Sequence, residues 1–501
     1  MGRTADDVAG LTGWNADWAG LRVAVLGLGV TGFSVADTLA ELGAELVVLA
    51  DHAGDEIVDL LDVIGVRLVR VDLESELAAF APELVVVSPG FAPTHPLVAW
   101  CTSVGVPVWG DVELAWRLRD CSGRVAEWIA ITGTNGKTTT TQLTTAMLVA
   151  GGKRSIACGN VGVPVLDAVR DPIGFDALVV ELSSFQLHYL KSMSAWSSVC
   201  LNVADDHLDW HGSPAAYRAA KGSVYERTRV ACVYNLEDDT TRELVEEAEV
   251  VDGCRAIGFG RGIPGPSDVG LVEEILVDRA FNVDRWKAAI EITTVPELET
   301  VGLGSPHMIA NVLAASALAR SFEVSPGDIR SALQGFRMDH HRTETILERD
   351  GVRWVNDSKA TNPHAAKAAL ESFESVVWVV GGLLKGVDVT ELVSASRTRL
   401  RAAILIGADR SALRDAFARH APTLPVFEVD TADTKEVMPA VVRLAVAAAR
   451  RGDTVLLAPA AASMDQFTDY ADRGSRFAEA VREARGEGTD DDEPTAPSFE
   501  A

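Results

Sequence analysis

The run Ile129-Ala130-Ile131-Thr132-Gly133-Thr134-Asn135-Gly136-Lys137-Thr138-Thr139 sets a lysine and a threonine directly after the second of two glycines that close an apolar stretch. This is the sequence form of a strand, a glycine loop and a helix N-terminus. Backbone N–H groups in such a loop converge on a phosphate, and the helix dipole favours its negative charge. Lys137 is predicted to reach the β/γ-phosphates of a nucleotide, and the Thr138 hydroxyl to ligate Mg²⁺. The loop is the variant Gly-x-x-Gly-Lys-Thr, because Ile131 stands where the commoner G-x-x-x-x-G-K-[ST] has its first glycine.

A second glycine loop, Gly27-Leu28-Gly29-Val30-Thr31-Gly32, follows the apolar run Arg22–Leu26, and Asp51 closes the next run at the distance of a ribose-binding acid. By itself this suggests NAD. The same pattern also serves any diphosphate at a helix N-terminus, or a bare βα turn. The first loop makes a purely redox protein less expected. Ser88-Pro89-Gly90 ends another strand of this segment and would face the same crevice, although many such triplets are only turns.

Glu181 is a lone carboxylate in the β-like run Ala177–Leu182, followed by Ser183-Ser184-Phe185-Gln186. A charge there needs a partner. Either it reaches solvent at a strand end, or Mg²⁺ held with Thr138 and phosphates supplies the partner. His207, in Ala204-Asp205-Asp206-His207-Leu208-Asp209, suits a metal or phosphate crevice as well as a structural role. Lys221, in Tyr217-Arg218-Ala219-Ala220-Lys221, reads on spacing alone as a solvated surface lysine. Further on, Asn356-Asp357-Ser358-Lys359-Ala360-Thr361-Asn362, the run His340-His341-Arg342, Gly381-Gly382-Leu383-Leu384-Lys385 and Ser463-Met464-Asp465-Gln466-Phe467 concentrate polar groups after strands, the usual place for a site.

These residues need elements to position them. A chain of 501 residues exceeds one hydrophobic core. Apolar β-like runs alternate with amphipathic stretches in three segments, so the expectation is an α/β protein of three domains. These are a Rossmann-like N-terminal domain (1–127), a P-loop ATPase central domain (128–337) and a Rossmann-like C-terminal domain (338–486). The segment Gly258–Pro296 reads as an antiparallel excursion and Asn311–Arg320 as an Ala-rich helix. An acidic, Pro-containing tail (487–501) reads as disordered.

The net charge of −27 argues against nucleic acid and anionic membranes as partners, though not against a local anion pocket. The six cysteines show no C-x-x-C spacing and read as reduced thiols. No apolar run is long enough to span a bilayer, and Met1–Asp17 carries acids without a signal-like apolar stretch, so the expected location is the cytoplasm.

Together, Gly27–Ser34, Ser88-Pro89-Gly90, Thr132–Thr139, Gly159-Asn160-Val161-Gly162, Glu181–Leu187, Leu201–Asp209, Asn356–Asn362 and Ser463–Phe467 resemble the signatures of the Mur ligase family over about residues 22–485. The run Glu181-Leu182-Ser183-Ser184-Phe185-Gln186-Leu187 is similar to the branch that adds D-glutamate. The resemblance implies an ATP-dependent amide ligase of peptidoglycan precursor synthesis, with two Mg²⁺ ions and an acyl-phosphate intermediate. UDP-N-acetylmuramoyl-L-alanine and D-glutamate would be its substrates and ADP and phosphate its products. A monomer is expected.

The resemblance also reassigns residues. Gly29, Thr31, Gly32, Asp51, Ser88 and Gly90 would hold the UDP moiety, and no NAD is implied. Asn160, Ser183 and His207 would line the path of the muramoyl substrate. Gly133, Thr134, Asn135, Gly136, Lys137, Thr138, Thr139, Asn311, Arg342 and Asp357 would hold ATP. Thr138, Glu181, His207 and a carbamylated Lys221 would serve the metal, which reverses the surface reading of that lysine. Lys359, Thr361, Lys385, Ser463 and Tyr470 would surround D-glutamate, with Lys137, Glu181, His207, Lys221 and Lys359 as the catalytic set.

Two departures stand out. Met308 replaces an asparagine in the family's His-Asn-x-x-Asn pattern, here His307 to Asn311, so one adenine-side amide is lost. Tyr470 stands where Phe is also found. Three other readings remain open at this level: a ligase of the same class with another substrate (another Mur ligase or a folylpolyglutamate-type enzyme), a nicotinamide dehydrogenase, and a nucleotide-gated regulator without turnover.

Overall fold

The structure, a computed structural model, describes residues 3–337, 341–384, 386–431 and 433–485. The acidic tail, His340 and Lys385 lie outside the described residues. The chain forms two compact units that divide between Phe336 and Arg337.

The first unit carries two sheets. Strands β1 (Arg22–Leu26), β2 (Glu45–Leu49), β3 (Arg67–Val69), β4 (Leu84–Val87) and β5 (Val108–Gly110) form a parallel sheet in the order β3-β2-β1-β4-β5. Its central strands are continuous apolar runs, Val-Ala-Val-Leu and Leu-Val-Val-Val, because both faces are covered. The winding reverses between β1 and β4, where Leu26 lies beside Val87. A parallel sheet opens its crevice at such a point.

Strands β6 (Glu127–Thr132), β7 (Ser155–Gly159), β8 (Ala177–Glu181), β9 (Ser197–Cys200), β10 (Ala231–Asn235), β11 (Arg255–Phe259), β12 (Asp268–Val272), β13 (Ile275–Asp278) and β14 (Ile290–Thr294) form the second sheet. Its order is β14-β13-β12-β11-β10-β9-β6-β8-β7. Only β12-β13 and β13-β14 pair antiparallel, so the expected excursion is confined to the far edge. Strand β6 lies between β8 and β9, and its end meets theirs: Ile131 is beside Glu181 and Thr132 beside Cys200. The Ala-rich helix is longer than the sequence suggested, Pro306–Ser321, because Pro306 is accommodated in its first turn and Ser305 precedes it as the cap.

Polar clamps join the two sheets' layers. Glu113, fully buried, accepts from Lys191 N (2.7 Å), Ser192 N (2.9 Å), Ser192 Oγ (2.7 Å) and Arg117 Nε (2.7 Å). Arg170 donates to Asp37 and Glu41, both at 2.6 Å, on the helix that follows the Gly27 loop. A buried carboxylate is tolerable when its lone pairs are filled in this way.

The second unit holds β15 (Glu344–Arg349), β16 (Val352–Asn356), β17 (Val376–Gly381), β18 (Leu400–Ile406), β19 (Val426–Glu428) and β20 (Thr454–Leu457). Their order is β15-β16-β20-β17-β18-β19, parallel except for the edge pair β15-β16. Apolar clusters cover both faces, one around Trp378 and Phe417, the other around Trp354 and Phe477.

Candidate active site

The glycine loop leaves β6 and enters the helix Lys137–Ala150. Gly133 (φ +154°) and Gly136 (φ +84°) occupy backbone regions that L side chains rarely adopt. A Cβ at Gly136 would also lie 2.5 Å from Asn311 Oδ1, so this glycine lets the long helix approach the loop. The segment after β9 staples the loop. Asn202 accepts from Asn135 N at 2.8 Å and donates to Asn135 O at 3.1 Å, while its carbonyl accepts from Thr134 N at 3.0 Å. Thr134 Oγ1 lies 2.9 Å from the Tyr217 hydroxyl. Lys137 donates to the carbonyls of Gly133 and Thr134, both at 2.9 Å, which folds its ammonium over the loop. Thr138 and Thr139 are buried at the start of the helix.

Glu181 ends β8 beside this loop and is 1 % exposed. Asn160 meets it twice: Nδ2 donates to Oε1 at 2.8 Å, and the Asn160 N–H donates to the Glu181 carbonyl at 2.9 Å. Oε2 is buried without a hydrogen-bond partner. An orphaned carboxylate oxygen at the edge of a glycine loop that opens a helix suits a divalent cation. Among the described residues no three His, Cys, Asp or Glu side chains gather into a ready cage.

Lys221 is 2 % exposed, which overturns the reading of it as a surface lysine. Helical periodicity turns it inward, where Nζ lies 3.3 Å from Thr132 Oγ1 and 5.0 Å from the Tyr217 ring centroid. Burial, reinforced by the positive charge of Lys137, lowers its pKa to about 7. His207 sits at φ +52° between Asp206 and a short helix, Leu208–His211, with its ring 4.7 Å from that of Phe185. Burial lowers its pKa, against the opposing pull of Asp206. Ser183 caps the helix Ser184–Tyr189 in a capping box with Gln186.

In the first sheet, Gly29 caps the helix Val30–Glu41 without a side-chain bond, leaving its N-terminal N–H groups open to a ligand. A Cβ at Gly32 would overlap the carbonyl oxygen of Gly27. Ser88 Oγ lies 3.4 Å from that same carbonyl, so Ser88-Pro89-Gly90 does share the crevice. Thr31 is half-buried, and Gly90 and Asp51 are exposed.

In the second unit, Asp357 is buried and accepts from Thr343 N at 3.1 Å, one residue beyond Arg342. Burial raises its pKa to about 6, against the pull of Arg342. Lys359 Nζ sits 3.7 Å from the Tyr470 ring centroid. Thr361 follows in the same loop, its N–H bonded to the Lys359 carbonyl at 2.8 Å. Ser463 is buried next to Ala462, which exchanges backbone hydrogen bonds with Leu383 (2.8 and 3.2 Å) and so draws the Gly381-Gly382 turn to the Ser463 loop. Arg473, fully buried, ties these loops: it donates to Ser358 Oγ (2.9 Å), Ser358 O (2.8 Å) and Ala461 O (3.1 Å).

Sequence reasoning missed Asn202, Gln186 and Arg473 as organisers of these loops. Asn202 carried a signal, a polar residue just after a buried strand. Arg473 carried none, because an arginine on an amphipathic helix normally faces solvent.

Known proteins agree with this layout. Residues 21–110 match the Mur ligase MurD-like N-terminal domain, 131–319 the Mur ligase middle domain and 341–461 the Mur ligase glutamate ligase domain. The chain is 60 % identical to UDP-N-acetylmuramoylalanine--D-glutamate ligase of Leifsonia xyli subsp. xyli, over 98 % of each chain. It is 51 % identical to the Streptomyces coelicolor protein of that name, over 93 % of this chain and 99 % of the other. Solved structures share the fold at lower identity. One is a pseudomurein peptide ligase type C from Methanothermus fervidus (17 % identity, TM-score 0.56, 93 % of this chain and 100 % of that one). Another is the MurF ligase of Thermotoga maritima in complex with ADP (16 %, TM-score 0.52, 93 % and 95 %). With its three α/β sheets in the expected order and these relatives along nearly its whole length, the chain belongs to the Mur ligase family.

Proposed function

We propose that this protein joins D-glutamate to the L-alanine carboxyl of UDP-N-acetylmuramoyl-L-alanine, using ATP and releasing ADP and phosphate. The observation that carries the reading is the pairing of an open phosphate loop at Gly133–Lys137 with the buried, half-satisfied carboxylate of Glu181.

Amide formation from a carboxylate needs activation. The substrate carboxylate attacks the γ-phosphorus of ATP, the β,γ P–O bond breaks, and ADP leaves. The D-glutamate amine then attacks the acyl carbon, loses a proton, and phosphate leaves. Both steps bring anions together, so the task of the protein is charge neutralisation. Lys137 leaves the two loop carbonyls to meet phosphate oxygens; Thr134 N–H and Asn135 N–H are taken by Asn202, so the N–H groups at the start of the helix Lys137–Ala150 would hold the remainder. Thr138, Glu181 and His207 would hold Mg²⁺, which supplies positive charge to the phosphate oxygens when bound. Lys221, its pKa lowered to about 7, has near neutral pH a large share of the uncharged amine that adds to carbon dioxide; the carbamate so formed, with loss of a proton, would be an anion able to hold a second ion. Asn311 and Arg342 would contact the nucleotide and Asp357 its ribose. Met308 leaves only a weak thioether acceptor, 4.0 Å from Asn311 Nδ2, on the adenine side.

Residues 1–127 would bind the UDP moiety through Gly29, Thr31, Gly32, Asp51, Ser88 and Gly90. Residues 128–337 would bind ATP, with Asn160 and Ser183 along the muramoyl path. Residues 338–486 would bring D-glutamate, held by Lys359, Thr361, Lys385, Ser463 and Tyr470. No helix among the described residues is long and apolar enough to cross a membrane, which agrees with a cytoplasmic role. The deciding experiment is ADP release with UDP-N-acetylmuramoyl-L-alanine, with and without D-glutamate. Release that depends on both substrates supports the reading. Release without D-glutamate, or with another amino acid in preference, overturns it.

A further inference from the structure

Asp111 begins the helix Asp111–Arg117 immediately after β5, and only 4 % of its surface is exposed. It has no cation within ion-pair distance among the described residues, and its Oδ1 is buried without a hydrogen-bond partner. Its side-chain partner lies across in the other sheet's layer, where Gln186 Nε2 donates to Oδ2 at 3.2 Å. Burial accordingly raises the Asp111 pKa to about 6, with the Gln186 bond opposing the rise. A buried acid with half its acceptor capacity unused is a poor device for stability alone.

The Gln186 amide has two ends, and Asp111 and the Ser183 N–H together set which way they point. With Nε2 committed to Asp111, Oε1 faces Ser183 and accepts from its N–H at 3.1 Å and from its Oγ at 3.2 Å. The Gln186 N–H in turn donates to Ser183 Oγ at 3.2 Å. The flipped amide would set donor against donor at Ser183 and acceptor against acceptor at Asp111. The Ser183 hydroxyl has one proton and two lone pairs. The proton goes to Gln186 Oε1 and one lone pair to Gln186 N, so one lone pair is left for a ligand.

We propose that Asp111 is a positioning residue for Ser183: by orienting Gln186 it makes Ser183 face the UDP-linked substrate as a hydrogen-bond acceptor, selecting an N–H or O–H of that ligand. The inference rests on the assignment of Ser183 to the muramoyl path made above.

The full-length protein tests it through ADP release, with UDP-N-acetylmuramoyl-L-alanine titrated at saturating ATP and D-glutamate. Asp111→Leu should raise KM for the UDP substrate about 10-fold, with kcat changed less than about 2-fold and KM for ATP unmoved. Asp111→Asn, whose Oδ1 still accepts from Gln186, should show a smaller rise of about 3-fold. Gln186→Glu sets a second carboxylate against Asp111 and should raise the same KM by about 10-fold. The double variant D111N/Q186E restores a donor–acceptor match in reverse: the introduced amide donates to the introduced carboxylate, whose other oxygen still serves Ser183. Its KM should return to within about 3-fold of the wild type. A double variant no better than Gln186→Glu, or a parallel rise in the KM of all three substrates with a lowered melting temperature, overturns the proposal. Wild-type protein that releases no ADP with this substrate would overturn the functional reading and this inference with it. Active wild type with unaffected variants would overturn this inference alone.

Discussion

Asn160 holds Glu181 by two hydrogen bonds, side chain to carboxylate at 2.8 Å and backbone to backbone at 2.9 Å, and leaves the second carboxylate oxygen bare. The loop after β7 thus fixes the rotamer of an acid at the end of β8. The bare oxygen is presented to the glycine loop. Glu181→Gln should lower kcat about 10²–10³-fold, the scale of losing one preorganised electrostatic contact. The melting temperature should not fall, because the substitution removes a buried charge that lacks a full set of partners. Parallel ADP-release kinetics and thermal unfolding measure both.

Lys137→Ala should abolish measurable turnover, a loss of about 10³-fold or more, while the protein stays folded. The Lys137 ammonium donates to the carbonyls of Gly133 and Thr134, which lie within the same loop, and its removal leaves β6 and the helix Lys137–Ala150 to be held by their apolar packing. Near-normal activity in this variant would remove the phosphate-loop assignment.

Gly32→Ala should cost about 1–3 kcal/mol, since the new methyl must push into the Gly27 carbonyl. Differential scanning calorimetry should show a melting temperature lower by about 2–10 °C. Binding of uridine diphosphate, followed by calorimetric titration, should weaken in the same variant because the helix N-terminus moves away from Gly27.

Lys221 predicts a pH dependence of stability. The folded state releases its proton near pH 7, while the unfolded chain keeps it up to the ordinary lysine value of 10.5. Between those values the unfolded state binds more protons, so stability rises with pH through this window. Urea unfolding at pH 7 and pH 9 should show that rise in the wild type, and a shallower one in Lys221→Met. A slope unchanged by the substitution would mean that Lys221 is not the titrating group.

Tyr470→Phe should change KM for D-glutamate less than about 2-fold, because either ring keeps the cation–π contact with Lys359 at 3.7 Å. Tyr470→Ala should raise it about 3–10-fold by removing the ring that packs against the ammonium. Equal effects of the two substitutions would show that the hydroxyl matters more than the ring.

The sequence by itself determined the parts whose chemistry is local. Continuous apolar runs such as Leu84–Val87 and Val376–Gly381, short and rich in β-branched valine, read as strands covered on both faces, and they are. Gly133 and Gly136 need backbone angles that few other residues take, so the glycine loop was legible from residue type and spacing. Tertiary structure decided what depends on distant neighbours. Lys221 and Arg473 have the composition of surface helices, and only packing reveals that their charged heads are buried. Asn202, Asn160 and Asp111 gain their roles from partners 67, 21 and 75 residues away in the chain. Spacing along a chain encodes the period of an element, whereas the pairing of strand ends β6, β8 and β9 at one edge is a property of sheet order. That order brings the glycine loop, Glu181 and the Asn202 staple together.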